Sequence, residues 1–434
     1  RRLMYGARLA PDIADRPLWW DDAPPEEAGD PAPEEVDVAV VGAGYAGLAA
    51  GLELARAGAA VAVFEAGALG EGASTRNAGL VAGTLDVPPA VARRLGPGRV
   101  EAMRAEAADA RDHLEDLVAR EGIADTWTVP GRFLAAHGPR ARTTLEVEAE
   151  ALERRGRPVR WIAPTAQGQV IGSDAYHGGL VVEDAAAVHP AKLHAGLRRA
   201  ARTAGATLVA RTPVHGFARE THGCALFHDI GEKGAGETWA REVVVATGGH
   251  VDAPCPWRRR RVVPVSSYMI ATEPLAEGRA RALSPAGLTF CDTKRLPAYF
   301  RLSPDGRRLL FGGRASLRGR PAPAVAARLR RAMLRVFPQL ADVALTHVWG
   351  GRVAFTRDRL PHLARHEGVL HVAGCQGAGV AMATWLGHQA ARTILAGTTS
   401  AFAAPLGALP LYAGTPWFVP LIASWCRLRD ALDR

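Results

Sequence analysis

Lysine is almost missing from this 434-residue chain. Of its 53 basic residues only Lys192, Lys233 and Lys294 are lysines, and the rest are arginine. A formal net charge of +9 would by itself suggest a polyanionic partner. A chain so poor in Lys and so rich in Ala, Gly, Pro and Arg points to coding bias as much as to selection for nucleic acid. No helix-turn-helix, RNA-binding or zinc-finger pattern accompanies the charge, so nucleic acid is excluded as a primary partner. Cysteine is scarce too. Cys224, Cys255, Cys291, Cys375 and Cys426 form no Cys-x-x-Cys pair and are odd in number. That excludes a disulfide framework and a thiolate zinc site, predicts no metal centre, and suits a reducing, cytoplasmic setting. Arg1-Arg2-Leu3-Met4 is followed by no apolar h-region, so no secretory signal is expected. Charge itself is absent from Thr393 to Cys426. A membrane helix needs roughly 20 continuous apolar residues, and Gly397, Pro405, Gly407, Pro410, Gly414, Pro416 and Pro420 interrupt this run. The expectation is a tail packed over the body, with membrane or partner contact as the alternative.

What remains is globular, at 48% hydrophobic and 22% charged residues. Residues 1–35 read as an extended arm carrying Trp19-Trp20. Val36 to Val41 reads as a buried strand, followed by a helix to about Arg56, a stop at Gly58 and a second strand over Ala60 to Phe64. Surface helices are predicted over 88–121 and 140–155. His189-Pro190 opens a helix to about Thr203, with strands at Thr207 to Ala210, from Val214, and at Glu242 to Thr247. From 262 to 356 the texture is that of alternating strands: Ser266 to Thr272, Ala298 to Leu302, Arg308 to Gly312 and Thr346 to Phe355. Ser303-Pro304-Asp305-Gly306 forms a hairpin turn and a helix crosses at 324–336. A strand at Val369 to Ala373 leads through a Gly-rich turn into a helix over about 378–396.

Gly42-Ala43-Gly44-Tyr45-Ala46-Gly47 follows a strand and opens a helix. In that context G-x-G-x-x-G is a dinucleotide-binding turn. Gly42 permits the tight turn, Gly44 lets backbone approach a pyrophosphate, and Gly47 allows close helix–strand packing. Glu65, ending the second strand, suits both ribose hydroxyls. Gly70 to Gly79 is too rich in Gly, Ser and Asn to be core, and it offers small polar groups to a flat polar ring.

These segments resemble the FAD-dependent D-amino-acid-oxidase-like oxidoreductases, and within them the γ-glutamylputrescine oxidoreductase branch. The resemblance continues through His189 to Leu193, Val243 to Gly248, Ile270 to Leu275, Tyr299 to Leu302, Trp349 to Gly351, Asp358 to Pro361 and Gly374 to Val380, in the family's order from about 36 to 396. It implies a mixed α/β chain: a Rossmann-like FAD-binding domain of glutathione-reductase type interleaved with an antiparallel-sheet substrate domain. The implied division is an arm over 1–35, an FAD-binding domain over 36–85, 175–255 and 357–400, a substrate domain over 86–174 and 256–356, and a tail over 401–434. FAD, expected to be non-covalent, would lie against Gly42, Gly44, Tyr45, Ala46, Gly47, Glu65 and Ala66. It would continue along Gly72, Ala73, Ser74, Arg76, Asn77, Ala78, Gly79 and Leu80. Val214, Ala246, Thr247 and Gly248 would close over its ADP half, and Gly374, Gln376, Gly377, Ala378, Gly379 and Val380 would form a second flavin loop.

The implied activity is oxidation of a primary or secondary amine by hydride transfer to flavin N5, giving an imine that hydrolyses to an aldehyde or keto product. Dioxygen or another acceptor would take the electrons. Tyr268, Tyr299, Arg301, Arg314 and Trp349 are the substrate-side candidates: aromatic walls for an amine, and arginines for an anionic group on it. Several features depart from the family pattern. Ala378 stands where many relatives have His. Arg352 is displaced by one position, which in a strand turns it to the other face and argues against a plain α-amino acid. Cys375 reads as a buried structural thiol, His189 and His347 as structural hydrogen-bonders, and Arg258 to Arg261 as a solvated loop. Lys294 is the only lysine in the inserted sheet. A competing reading is a membrane-associated flavin dehydrogenase of a hydroxy acid or polyol phosphate that passes electrons to quinone.

Overall fold

The computed structural model describes residues 8–229, 234–251, 255–314 and 322–433. The features noted at Arg1 to Met4 and at Lys233 lie outside the described residues. Among the described residues there are two large sheets and a small third one of Leu80–Val81, Ala186–Val188 and Trp127–Thr128. The first is built on the strand Glu35–Val41, which pairs in parallel with Val61–Phe64 on one side and Ala235–Val245 on the other. Thr207–Val209 adds beyond Val61–Phe64. Ala235–Val245 is longer than its apolar end suggests. Its first half pairs antiparallel with Cys224–Asp229, and its last residues pair in parallel with Val369–Ala373. Parallel strands buried on both faces read as unbroken Val and Ala runs, because neither face meets water. Val38 and Val40 pack under the helices, whereas Ala39 and Val41 pack on the opposite side with Phe64, Val214 and Leu226.

The helices Tyr45–Arg56, Pro190–Thr203 and Gly379–Ala396 lie over that sheet. Gly58 and Gly205 stand just past two of them with φ of 86° and 100°, the left-handed region where glycine carries no Cβ penalty. His189 caps the middle helix by accepting the Lys192 N–H at 3.2 Å, and its Nε2 meets Asp22 at 3.0 Å. His347 likewise pairs with Asp21. The helix Pro97–Arg120 falls in a segment expected to serve the substrate domain. It instead buries Val100, Met103, Ala107, Ala110 and Leu114 in the same core as Tyr45–Arg56 and Gly379–Ala396.

Among the described residues the second sheet has nine strands. In spatial order they are Leu9–Ala14, Leu345–Phe355, Val263–Thr272, Leu309–Gly313, Tyr299–Leu302, Thr289–Asp292, Arg132–Ala135, Gly179–Val182 and Val159–Ile162. It is antiparallel except where the arm strand joins Leu345–Phe355 and where Thr289–Asp292 joins Arg132–Ala135. The helix Ala322–Val336 packs across it on Ile270, Phe300, Phe311 and Val348. Gly306, with φ 69°, closes the Ser303 turn by donating to the Ser303 carbonyl at 2.8 Å. The arm is therefore a sheet edge as well as a cover. The arginine run is only half solvated: Arg259 and Arg260 are exposed, but Arg258 is buried. Its guanidinium donates to Val245 O, Val372 O and Gly248 O at 3.3, 3.1 and 3.1 Å, clamping the ends of two parallel strands.

Candidate active site

Each glycine of the turn answers to a different contact. Gly42 has φ 104°, and a Cβ there would sit 2.9 Å from the Ala246 carbonyl oxygen. A Cβ on Gly44 would meet Ser74 Oγ at 2.9 Å, and one on Gly47 would fall 1.8 Å from Gly42 O. The cradle thus exists only because side chains are missing from it. Glu65 Oε2 accepts the Ala43 N–H at 2.9 Å, and Ser74 Oγ accepts the Tyr45 N–H at 3.0 Å. Burial pushes the Glu65 carboxyl upward, while backbone amides from Ala43, Gly67 and Ala66 hold it down. His194, on the helix Pro190–Thr203, donates from Nε2 to Ala43 O at 2.7 Å. Its burial drives its pKa down to about 4, so at neutral pH it is an uncharged brace under the turn.

The loop from Gly70 to Gly79 is held from both layers. Trp19 and Trp20 of the arm donate to Asn77 O at 2.8 Å and Thr75 Oγ1 at 2.9 Å. Trp349 of the second sheet donates to Arg76 O at 3.0 Å, and Arg76 donates back to Gly350 O at 3.2 Å. Asn77 fastens the loop to itself through Ser74 O and the Gly79 N–H. In the third loop Gly374 and Gly377 have φ of 76° and 104°, and Gln376 sits at 50° without being glycine. Such strain in a non-glycine residue clusters at ligand clamps. The helix Gly379–Ala396 starts here with Ala378 at its N-cap and no side-chain cap, so its first N–H groups are available to an anion. Burial lifts the Cys375 thiol to about 12, which keeps it protonated and unreactive.

These three loops enclose a cavity of about 790 Å³. Of the sequence-predicted cofactor residues, Gly42, Gly44, Tyr45, Ala46, Glu65, Ala66, Gly72, Ala73, Ser74, Arg76 and Asn77 line it. So do Val214, Ala246, Thr247, Gly248, Gly374, Gln376, Gly377, Gly379 and Val380. Gly47, Ala78, Gly79, Leu80 and Ala378 do not line it. Gly47 serves helix packing, and Gly79, with φ 69°, packs on Val188 O. A shallower hollow of about 420 Å³ lies apart, over Arg56, Arg120 and Arg199. The larger cavity has a narrow, glycine-walled end with a buried carboxylate, and a bare helix N-terminus faces it. That donor set fits the ribose, pyrophosphate and ring of a flavin dinucleotide.

The far end of the cavity belongs to the second sheet. Across the strand pair Val263–Thr272 and Leu345–Phe355, Ser266 faces Arg352 and Tyr268 faces Gly350. Alternate residues of paired strands share a face, and all four line the cavity. Arg352 therefore stands on the cavity wall, not on the opposite face as its displaced spacing suggested. Among the substrate-side candidates only Tyr268 lines the cavity. Trp349 is buried with its indole committed to Arg76 O, and Arg301 is buried with its guanidinium on Val188 O and Leu302 O. Both shape the wall and neither reaches the cavity. Tyr299 shares a hydrogen bond with Ser267 at 2.8 Å, and Arg314 lies 4.7 Å over the Phe355 ring. Lys294 pairs with Asp292 and sits near the Tyr176 ring, away from the cavity. His194, Gly249, His250 and Ser266 line it without having been expected. Ser266 carried a signal, since it stands two residues from Tyr268 in one strand. His250 follows the Gly248-Gly249 end of the buried strand.

A dinucleotide-shaped cavity between a Rossmann-like layer and a large antiparallel sheet defines a two-layer flavoprotein oxidoreductase. Residues 37–393 match the FAD dependent oxidoreductase (DAO) family, and the chain belongs to it. It is 31% identical to the probable oxidoreductase OrdL of Rhizobium meliloti over 92% of this chain and 93% of that one. It is 29% identical to the gamma-glutamylputrescine oxidoreductase of Escherichia coli over 91% and 93%. The fold is shared with glycine oxidase from Geobacillus kaustophilus, at a TM-score of 0.71 and 23% identity, covering 87% of this chain and 99% of that one. The protein is an FAD-dependent oxidoreductase, as its sequence led one to expect.

Proposed function

We propose that the protein oxidises the C–N bond of a small primary or secondary amine that also carries an anionic group. FAD held by the glycine turn, Glu65 and the Gly374 to Val380 loop would supply the two-electron acceptor for the hydride equivalent lost from the carbon next to nitrogen. The rest falls to the chain. The observation that carries the reading is the placement of Arg352 and Tyr268 at the sheet end of the flavin cavity. Arg352, on the cavity wall, carries a planar guanidinium of the kind that pairs with a carboxylate or phosphate. Tyr268 offers an aromatic face to the amine-bearing part of the substrate. The similarity to a gamma-glutamylputrescine oxidoreductase and to a glycine oxidase supports an amine in that position. A neutral buried thiol at Cys375 supports flavin held without a covalent bond, and five free cysteines suit a reducing, cytoplasmic setting.

An anaerobic screen that reads bleaching of the flavin absorbance tests this directly, because it needs no knowledge of the electron acceptor. At least one amine bearing a carboxylate or phosphate should bleach the holoprotein. Arg352→Met should raise KM for that amine by roughly 10- to 100-fold, the worth of one charge-assisted hydrogen bond, and leave an uncharged analogue unaffected. Bleaching by hydroxy acids or polyol phosphates and by no amine would overturn the reading.

A further inference from the structure

The charge-free stretch runs into a helix, Val419–Leu432, whose polarity is inside out. Val419, Ala423 and Asp430 face the body. Val419 packs with Tyr412 against Val263 and Val265, next to the cavity-lining part of that strand. Asp430 accepts from the Arg295 N–H and guanidinium, both at 3.1 Å, and Asp433 accepts from the same guanidinium at 2.7 Å. The anchoring is therefore largely ionic. Leu421, Ile422, Trp425, Leu428 and Leu432 are 52% to 66% exposed. On a 3.6-residue period Leu421, Trp425, Leu428 and Leu432 form one stripe, opposite the anchored face. A helix whose apolar stripe points away from its own body is docked on something else or lies against lipid.

The charges around it choose between these. Arg427 and Arg429 flank the stripe, and Arg429 lies 5.7 Å over the Trp425 ring. The exposed Arg259 and Arg260 adjoin the tail: Leu409 N–H donates to Arg260 O at 2.9 Å, and Gly414 packs on the Arg259 side chain. Exposed Arg357 reaches Ala408 O. No carboxylate occurs between Thr393 and Cys426, and Asp430 and Asp433 are both paired with Arg295. The segment also lies beyond residue 393, where the family match ends. No helix among the described residues is long and apolar enough to cross a membrane. An exposed stripe of indole and leucine side chains, with exposed Arg427 and Arg429 on the same helix and exposed Arg259, Arg260 and Arg357 against the preceding tail, matches an anionic lipid surface, where apolar groups enter the acyl boundary and arginines meet headgroups.

We propose that Val419–Leu432 is a peripheral docking helix that lays its Leu421–Trp425–Leu428–Leu432 stripe into the surface of an anionic phospholipid bilayer. This inference is independent of the substrate reading. The test is co-sedimentation of the FAD-loaded, full-length protein with vesicles of phosphatidylglycerol and phosphatidylcholine in equal parts, against phosphatidylcholine alone. Tryptophan emission and light scattering are followed on the same samples. The expected result is sedimentation with the anionic vesicles, a blue-shifted emission, and release by salt. The triple variant Leu421→Ser, Trp425→Ser, Leu428→Ser should bind roughly ten-fold more weakly or less, with flavin content unchanged. Should that variant lose its flavin, the pair Arg427→Gln and Arg429→Gln, which leaves the apolar stripe intact, should weaken binding to anionic vesicles. Three results would overturn the proposal: wild-type protein that stays in the supernatant, variants that bind like wild type, and concentration-dependent dimerisation abolished by the triple variant without vesicle binding. The last would assign the stripe to a second copy of the chain.

Discussion

Glu65 sits at the floor of the cradle, buried, with both oxygens turned toward backbone N–H groups of the turn and of its own loop. Desolvation raises its pKa, and the amides of Ala43, Gly67 and Ala66 offset part of that rise. Replacing it by a cation inverts the charge facing a ribose and removes the acceptor for the Ala43 N–H. Glu65→Lys should therefore purify without FAD, and absorbance at the flavin bands relative to protein checks it; a stoichiometric yellow variant would refute the role. His194 makes a second residue-scale prediction. Its pKa of about 4 in the folded chain lies below the ordinary 6.5, so between these values the unfolded chain binds the extra proton. Stability then falls as pH drops from about 6.5 to about 4, by up to about 3 kcal/mol from this residue. His113 and His371, lowered to about 4 and about 3, act in the same direction. His194→Gln keeps a donor for Ala43 O and removes the proton site, so its unfolding temperature should decline less steeply over that pH range. The turn was legible in the sequence because its glycine spacing, with a strand before it and a helix after it, is a local pattern, and the Gly47 contact with Gly42 O lies within it, although Gly42 and Gly44 meet Ala246 and Ser74 from distant segments. Arg352 was not, because its face is set by register with a strand some eighty residues away. Arg301 and Trp349 look like ligands in sequence, but only packing shows that their polar atoms already have partners.

Among the elements, the long units with a clear period were readable. The glycine-turn helix, the helix Pro190–Thr203 and the strand Glu35–Val41 stand within a residue or two of their expected bounds. What escaped were short strands such as Arg132–Ala135, Val159–Ile162, Gly179–Val182 and Cys224–Asp229. Runs of four to six residues carry too little periodicity to announce themselves, and their pairing partners are distant. The tail helix escaped for a different reason: its apolar stripe points outward, so the usual pattern offers no core to attach it to. One contact between elements had no signal at all. Tyr45–Arg56 and Gly379–Ala396 cross where Gly387 lies, and a Cβ on Gly387 would stand 2.1 Å from Ala46 O. The helices approach so closely only because that position is bare. Gly387→Ala should force them apart, costing about 1–3 kcal/mol. Because Ala46 lines the cavity, the variant should lose FAD at a lower temperature than it unfolds. A thermal ramp that follows released flavin fluorescence beside far-UV circular dichroism checks both.

At the scale of the whole molecule, the arm does what neither sheet does alone. Leu9–Ala14 forms the edge strand of the second sheet, and a few residues later Trp19 and Trp20 clasp the flavin loop of the first layer. Trp19 is 1% exposed and packs with Ala78, Met269, Leu310 and Trp349, which come from both layers, and edge-on against His189 at 5.0 Å. The loop at Arg76 is thus fixed from one side by the arm and from the other by Trp349 and Gly350. Removing one clasp should loosen both layers where they meet, because the cavity wall is continuous across that loop. Trp19→Ala leaves a cavity worth about 3–5 kcal/mol and leaves Asn77 O without its donor. Trp19→Phe restores most of the packing and still lacks the donor. If the arm acts only as apolar cover, the two variants should differ widely and Trp19→Phe should hold FAD like wild type. If it acts as a strap, Trp19→Phe should already weaken FAD binding roughly ten-fold, as expected for an unmet buried acceptor. Hydrogen exchange should then quicken together in the Gly70 to Gly79 loop and in Leu345–Phe355, two segments of different layers joined by the hydrogen bonds of Arg76 with Trp349 and Gly350.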